Sequence, residues 1–81
     1  MLTERQREVL TIMRDHREDD EGELLYERGT AYLGHRSIST ATVFALLRLC
    51  AISMNQYSRV GGLERYTINE TGLNLLAEGK Q

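Results

Sequence analysis

The chain has 81 residues and a formal net charge of −2, with 41% hydrophobic and 27% charged residues. This length accommodates one hydrophobic core, and the composition is that of a globular rather than a disordered chain. Its single cysteine, Cys50, excludes an internal disulfide, and no two His or Cys residues stand at metal-ligand spacing. No apolar run approaches the ~20 residues of a membrane span, and the N-terminus does not resemble a signal peptide. We therefore expect a cytoplasmic protein without membrane, metal or cofactor.

The charges are distributed unevenly along the chain. Residues 1–23 carry four arginines against eight acidic residues, a local charge of −4, whereas residues 24–81 carry six basic and four acidic residues, a local charge of +2. Such asymmetry permits a basic face on an acidic protein, although a surplus of two charges is a weak electrostatic footprint for nucleic acid.

The first predicted element is a helix from Leu2 to about Arg17, with apolar residues gathered on one side. Thr3 and Gln6 stand at the spacing of a capping box, in which each side chain bonds to the other's backbone amide. The acidic run 18–23, which contains Gly22, is expected to end this helix. We interpret the run as a solvated loop, with an acidic docking site as the alternative.

Residues 23–29 are too short to show a decisive period and fit a short helix or an extended segment. We expect a helix. The chain then passes between Gly29 and Gly34 and turns through residues 35–38, where Ser37 or Ser39 would cap the next helix.

A second clear helix is predicted from Ser39 to Cys50. Val43, Leu46, Leu47 and Cys50 form an apolar stripe at i, i+3, i+4 and i+7. The opposite side holds small residues and one arginine, with larger side chains on its flanks: Ala41, Ala45 and Arg48, flanked by Thr42, Phe44 and Leu49.

Two β-prone runs, 55–60 and 63–68, are separated by Gly61-Gly62, which predicts a hairpin with a two-residue turn. In that register Arg59 lies opposite Glu64, and Tyr57 lies opposite Tyr66. Asn69 is expected to cap a closing helix from residue 70 to about residue 78, which Gly79 ends.

This order of elements predicts an α+β fold, and three segments carry a resemblance to a known family. Residues 39–52, STATVFALLRLCAI, resemble the recognition helix of winged helix-turn-helix DNA-binding domains from bacterial or phage transcriptional regulators. Residues 66–76, YTINETGLNLL, are similar to that family's passage from the second wing strand into the last helix, and residues 2–10, LTERQREVL, to its opening helix. The resemblance spans most of the chain and implies one winged-helix domain over residues 1–81: a helix, a short element, the recognition helix, a two-stranded wing and a C-terminal helix.

The resemblance also implies a set of DNA-binding residues. In this family the recognition helix enters the major groove and the wing lies beside it. That arrangement would place Arg36, Ser37 and Ser39 near phosphates; Thr40, Ala41, Thr42, Phe44, Ala45 and Arg48 toward the groove; and Arg59 and Arg65 on the wing. Of the groove residues, Arg48 alone can make a bidentate contact to guanine, and it lies far along the helix.

Several of these residues have alternative interpretations. Arg48 also fits a solvated helix face, and Arg59 an ion pair with Glu64 across the hairpin. We expect Phe44 to be partly buried in the core, with a protein interface as the alternative.

The remaining candidates for site chemistry are a cysteine and two histidines. Cys50 lies on the apolar stripe and is expected to be a buried, unreactive thiol. His16 and His35 stand apart from each other and from suitably spaced acids, so neither is expected to be a metal ligand or a base.

No catalytic motif is present, so the sequence does not predict an enzyme. It predicts a small transcriptional regulator that binds duplex DNA in a sequence-specific manner. Such a regulator would gain affinity as a homodimer joined through its terminal helices, by Leu73, Leu76 and Ala77 or by the opening helix. The alternative is a winged-helix protein-interaction module that docks on a partner protein through Phe44, Leu49 and the acidic run.

Overall fold

The structure, a computed structural model, describes residues 2–58 and 62–78, and the elements below are those of this part. In chain order they are α1 (Glu4–Asp15), a 3-10 turn (Asp20–Gly22), β1 (Leu24–Glu27), β2 (Thr30–Leu33), β3 (Arg36–Ile38), α2 (Thr40–Arg48), β4 (Ile52–Ser58), β5 (Leu63–Ile68) and α3 (Glu70–Glu78). The expected α+β class is confirmed.

The opening helix begins as its sequence predicts. Thr3 is the N-cap of α1: its hydroxyl accepts from the Gln6 amide at 3.2 Å, and its own amide donates to Gln6 Oε1 at 3.0 Å. The capping box is therefore confirmed. The helix ends at Asp15, two residues earlier than expected, because His16 leaves helical geometry.

The segment between α1 and α2 is a three-stranded antiparallel meander, so the helix expected at residues 23–29 is wrong. Glu27 pairs with Thr30 across a two-residue turn in which Arg28 and Gly29 both have positive φ, 50° and 79°. These angles are those of a type I′ turn, the connection that matches the twist of a tight hairpin. A second tight turn at Gly34, with φ 62°, leads into β3, where Leu33 pairs with Arg36.

The five strands form one antiparallel sheet in the order β3-β2-β1-β5-β4. The predicted hairpin is present as β4 and β5, but its predicted register is wrong. Glu64 lies opposite Tyr57, and Tyr66 lies opposite Met54. The pair nearest the turn among the described residues is Ser58 with Leu63. A register shift between Met54 and Gln56 separates the pairs on the Ile52 side from those on the Ser58 side. Gly61 and Arg59 lie outside the described residues.

All three helices pack on one side of the sheet. Successive strand residues point to opposite faces, and the buried strand residues belong to the helix-covered face: Leu24, Ala31, Leu33, Ile38, Ile52 and Tyr66. The helices complete the core with Val9, Leu10, Met13, Val43, Leu46 and Leu76. Leu76 is 2% exposed. The expected dimer contact through Leu76 is therefore wrong, since this side chain is already used inside the monomer.

The closing helix is anchored at its first turn. Asn69 caps α3, as predicted: its Oδ1 accepts from the Gly72 amide at 2.9 Å, while its Nδ2 donates to the Cys50 carbonyl and to Ser53 Oγ, both at 2.8 Å. Asn69 thereby joins the start of α3 to the exit of α2. The predicted stop at Gly79 lies outside the described residues.

Candidate nucleic-acid interface

The candidate interface is built on α2, and its local sequence explains where the helix begins and ends. Ser39 is the N-cap in extended conformation, and its hydroxyl accepts from the Ala41 amide at 3.2 Å. Val43 and Leu46 are buried on the side of the helix that faces the core. After Arg48 the chain reverses at Cys50, which has φ 58° and is exposed. The expected burial of Cys50 is wrong because the helix ends before the apolar stripe reaches it.

The outward side of α2 consists of Ala41, Phe44 and Arg48, all exposed, at i, i+3 and i+7. Thr40, Thr42 and Ala45 lie beside them and are half-buried. These residues form one continuous surface along the helix, and we call them the α2 face. Of the predicted DNA-binding residues, Ser39, Thr40, Thr42, Phe44 and Arg48 are brought together here.

Phe44 is 48% exposed and is not one of the partly buried residues that pack against the core, so the expected partial burial in the core is wrong. Val43 and Leu46 occupy the core side of α2, which turns the Phe44 ring toward the edge of the helix. There the ring packs against Tyr26 of β1, with centroids 5.9 Å apart and planes tilted by 54°. The contact is an aromatic pair that leaves one side of Phe44 accessible.

Charge around α2 differs sharply from that of the rest of the protein. Residues 28–63 contain four arginines and none of the 12 acidic residues. This stretch includes β2, β3, α2 and β4. Its formal charge is +4, against −6 for the remaining residues, which together give the net −2. α2 contacts β2 and β4, which belong to this stretch, and it also contacts α1, which lies outside it.

Arg28 is a candidate that the sequence interpretation missed. It lies at the β1–β2 turn, two residues after Tyr26, against which the Phe44 ring packs. The signal was available in the sequence, since the absence of acidic residues from 28 to 63 is visible without a structure. The charge sums over residues 1–23 and 24–81 concealed this absence.

Arg36 and Arg65 are each held near an acidic side chain. Arg36 Nη1 lies 3.5 Å from Glu8 Oε1 of α1, and both side chains are more than half exposed. Arg65 Nη1 lies 3.4 Å from Glu23 Oε1, in a less exposed pair. Exposed pairs of this kind contribute less than ~1 kcal/mol, so Arg36 remains available to another anion.

Arg65 and Ser37 do not join the α2 face. Ser37 pairs with Tyr32, Tyr32 with Leu25, and Leu25 with Arg65, so all four side chains point to one face of the sheet. The helices cover the other face. The structure thus separates Arg65 from α2, contrary to a wing that contacts DNA beside the helix, and Arg59 lies outside the described residues.

One carboxylate, that of Glu64, approaches the candidate interface from β5, opposite Tyr26. It accepts a hydrogen bond from the hydroxyl of Tyr66, whose ring is almost fully buried. Burial above all, and then this hydrogen bond, raises the pKa of Tyr66 to about 12. The phenol therefore remains a donor to Glu64 at higher pH than a free tyrosine would.

The expectation that His16 is isolated from acids is also wrong. His16 Nδ1 lies 3.4 Å from Asp19 Oδ2 and 3.5 Å from Glu21 Oε2. His16 and His35 line the same cleft, although 19 positions separate them. The 3-10 turn after α1 brings these groups together, and sequence spacing did not reveal it.

No protein-family model, curated protein or solved structure matches this chain. Among the described residues, no helix is both long and apolar enough to cross a membrane.

Proposed function

We propose that this protein binds duplex DNA through the α2 face, as a small transcriptional regulator of the winged-helix kind. The observation that carries the proposal is the exposed side of α2 at the centre of a 36-residue stretch, 28–63, that has four arginines and no carboxylate. A DNA backbone is densely negative, so a segment of the chain without carboxylates is where an acidic protein approaches it at least electrostatic cost.

The residues of this surface have distinct roles in the proposed complex. Arg28 and Arg36 contact phosphates. Arg48 reaches a base edge or a phosphate. Ala41 and the Phe44 ring are the apolar groups available to thymine methyls. With a single arginine on the helix, base discrimination is modest, so two copies on adjacent half-sites supply the specificity.

The winged-helix assignment belongs to this proposal and requires one adaptation. In the described residues, the element before α2 is the strand β3, where a helix-turn-helix has its first helix. The β2–β3 hairpin would take over the role of supporting α2, and the β4–β5 hairpin would follow as the wing.

Fluorescence anisotropy tests the proposal with a labelled random duplex and with fragments of the DNA that flanks the protein's own gene. We expect submicromolar affinity for a flanking fragment and a linear fall of log K with log salt, whose slope counts the phosphates engaged. The mass in solution, measured alongside, tests the two-copy complex. Affinity that is weak and indifferent to salt would refute the proposal.

A matched pair of charge reversals locates the interface. Arg48→Glu on α2 and Arg5→Glu on α1 change the net charge equally, and both side chains are exposed. We expect Arg48→Glu to weaken binding by about tenfold or more and Arg5→Glu to have a small effect. Equal effects of the two would contradict an interface on α2.

The alternative function, a protein-interaction module, is favoured by the half-exposed Phe44 ring. Aromatic side chains, phenylalanine included, are enriched at the centres of protein interfaces. In this case Phe44→Ala abolishes partner binding, and the protein has no salt-dependent affinity for DNA. Since Phe44 is 48% exposed, circular dichroism should show the variant folded.

A further inference from the structure

The segment after α1 folds back so that three side chains with metal-ligating atoms converge. The imidazole of His16, the carboxylate of Asp19 and the carboxylate of Glu21 each offer one donor atom, and these atoms all lie within 4.8 Å of one another. The Nδ1 of His16 is central, at 3.4 Å from Asp19 Oδ2 and 3.5 Å from Glu21 Oε2. We call these residues the His16 cluster.

The backbone of this segment holds the donors in place. The Asp19 amide donates to the His16 carbonyl at 3.0 Å, and the Gly22 amide donates to the Asp19 carbonyl at 3.2 Å. A Cβ on Gly22 would overlap the His16 carbonyl, so glycine is needed for the closure. Asp19 Oδ1 accepts from the Glu21 amide at 2.9 Å, which fixes the carboxylate and directs Oδ2 toward His16.

The two separations from His16 Nδ1, 3.4 and 3.5 Å, are close to those of ligands around one ion. Nitrogen and oxygen ligands at ~2.0–2.1 Å from a tetrahedral zinc ion stand about 3.3–3.4 Å apart. The two separations from His16 Nδ1 fit ligands of one ion, and all three donor atoms lie within 4.8 Å of one another.

A second feature, distant in sequence, faces the same place. A cleft of about 170 Å³ adjoins the cluster, and its lining includes His16 and Glu21 together with His35 and Arg36 from the β2–β3 region. The cleft gives an ion access from solvent and room for a fourth ligand. Imidazole nitrogen with carboxylate oxygen is the donor set of zinc and related transition-metal ions, whereas calcium and magnesium prefer oxygen alone.

We propose that the His16 cluster binds one divalent transition-metal ion, of which zinc is the closest match, through His16, Asp19 and Glu21, with the fourth position open to the cleft. Bound metal ties the C-terminal end of α1 to the turn that leads into β1. This site uses no residue of the α2 face, but its cleft is lined by Arg36, which the proposed function assigns to a phosphate contact.

Isothermal titration of EDTA-treated protein with ZnCl₂ tests the site, and Co²⁺ absorption reports the coordination geometry. We expect one equivalent of zinc to bind, with the strong visible absorption of four-coordinate Co²⁺. His16→Ala and Glu21→Gln should each lower the affinity by about 100-fold or more, because even the loss of a second-shell partner costs ~10–100-fold. Glu18→Gln, a neighbouring exposed acid outside the cluster, is the matched control and should bind as the wild type does.

Two results would overturn the proposal. One is the absence of saturable zinc binding by the wild-type protein at micromolar concentrations. The other is equal binding by wild type, His16→Ala and Glu21→Gln, which would mean that the acidic segment attracts the ion without a defined site. Using two variants separates ligand loss from misfolding, because Glu21 makes its side-chain contact with His16 from an exposed position.

Discussion

Replacing Gly72 by alanine tests the close packing of α3 against the exit of α2. Gly72 is buried in the first turns of α3, and a Cβ built there would overlap the carbonyl oxygen of Ala51 and lie 2.7 Å from Ile68 Cγ1. The first of these neighbours is backbone, which no rotamer change can move. Elsewhere in a helix the same substitution is favourable, because alanine exceeds glycine in helix propensity by about 1 kcal/mol.

The two effects have opposite signs, and their sizes decide the outcome. To accept the methyl group, α3 has to move by roughly 1 Å, and such overpacking costs about 1–3 kcal/mol. The movement also strains the hydrogen bond from the Asn69 amide to the Ala51 carbonyl, 3.2 Å long, worth about 1 kcal/mol. Against the ~1 kcal/mol gained in helix propensity, we expect Gly72→Ala to lower the free energy of unfolding by about 2 kcal/mol.

Urea unfolding followed by circular dichroism measures this change. For a domain of this size a loss of ~2 kcal/mol lowers the melting temperature by about 8–16 °C. Thr71→Ala, an exposed neighbour in the same helix, is the control and should change stability by less than ~0.5 kcal/mol. If Gly72→Ala is as stable as the wild type, or more stable, the close approach of α3 to Ala51 is refuted.

Three further predictions concern the sheet, its turn and the core. The raised pKa of Tyr66, about 12 in the folded protein against 10 for the free side chain, means that the folded state keeps a proton that the unfolded state loses between pH 10 and 12. The free energy of unfolding should therefore fall over that window, and Tyr66→Phe should flatten the fall in urea titrations at pH 9 to 11; parallel curves would contradict the assignment. Arg28→Asn should raise the melting temperature, with a gain of about 0.5–1 kcal/mol, because asparagine tolerates positive φ better in a type I′ turn; a lower melting temperature would argue against that turn. Leu46→Ala, at a fully buried position, should lower the free energy of unfolding by about 2–5 kcal/mol, clearly more than Leu47→Ala at a partly exposed position. Equal losses would contradict the placement of Leu46 in the core.

The helices were predictable from sequence because their signals are local. Thr3 with Gln6, Ser39 and Asn69 each supply a side-chain acceptor at a helix start, and the structure uses all of them. A cap and a stripe of apolar residues involve neighbours within one or two turns, so no distant contact is needed to interpret them.

The meander 24–38 was not predictable in the same way. Leu24-Leu25-Tyr26 alternates between the buried and the open face of a central strand, but three apolar residues in sequence hide that alternation. The strand is specified by its partners β2 and β5, and β5 lies far along the chain. The turn at Arg28-Gly29 was obscured by arginine, a residue that seldom adopts positive φ.

The surface residues were harder still. Phe44 and Cys50 were assigned to the core from their type and spacing, yet the end of α2 and its packing on Tyr26 leave both accessible. The His16 cluster depends on a turn whose closure requires Gly22, and its contacts arise from backbone geometry rather than helix periodicity.

The sheet order has a consequence for how the chain reaches its folded state. Residues 24–38 and 52–68 each form hairpins from neighbouring sequence, whereas the pair of β1 with β5 joins Leu24 to Tyr66, 42 positions later. Bringing such distant strands together is the slow step in folding sheets of this kind. Until β5 has been synthesised and docked, β1 carries an unpaired edge, the type of surface that recruits other chains. We expect the acidic residues at its ends, Glu23 and Glu27, to disfavour pairing of that edge with other chains before β5 docks.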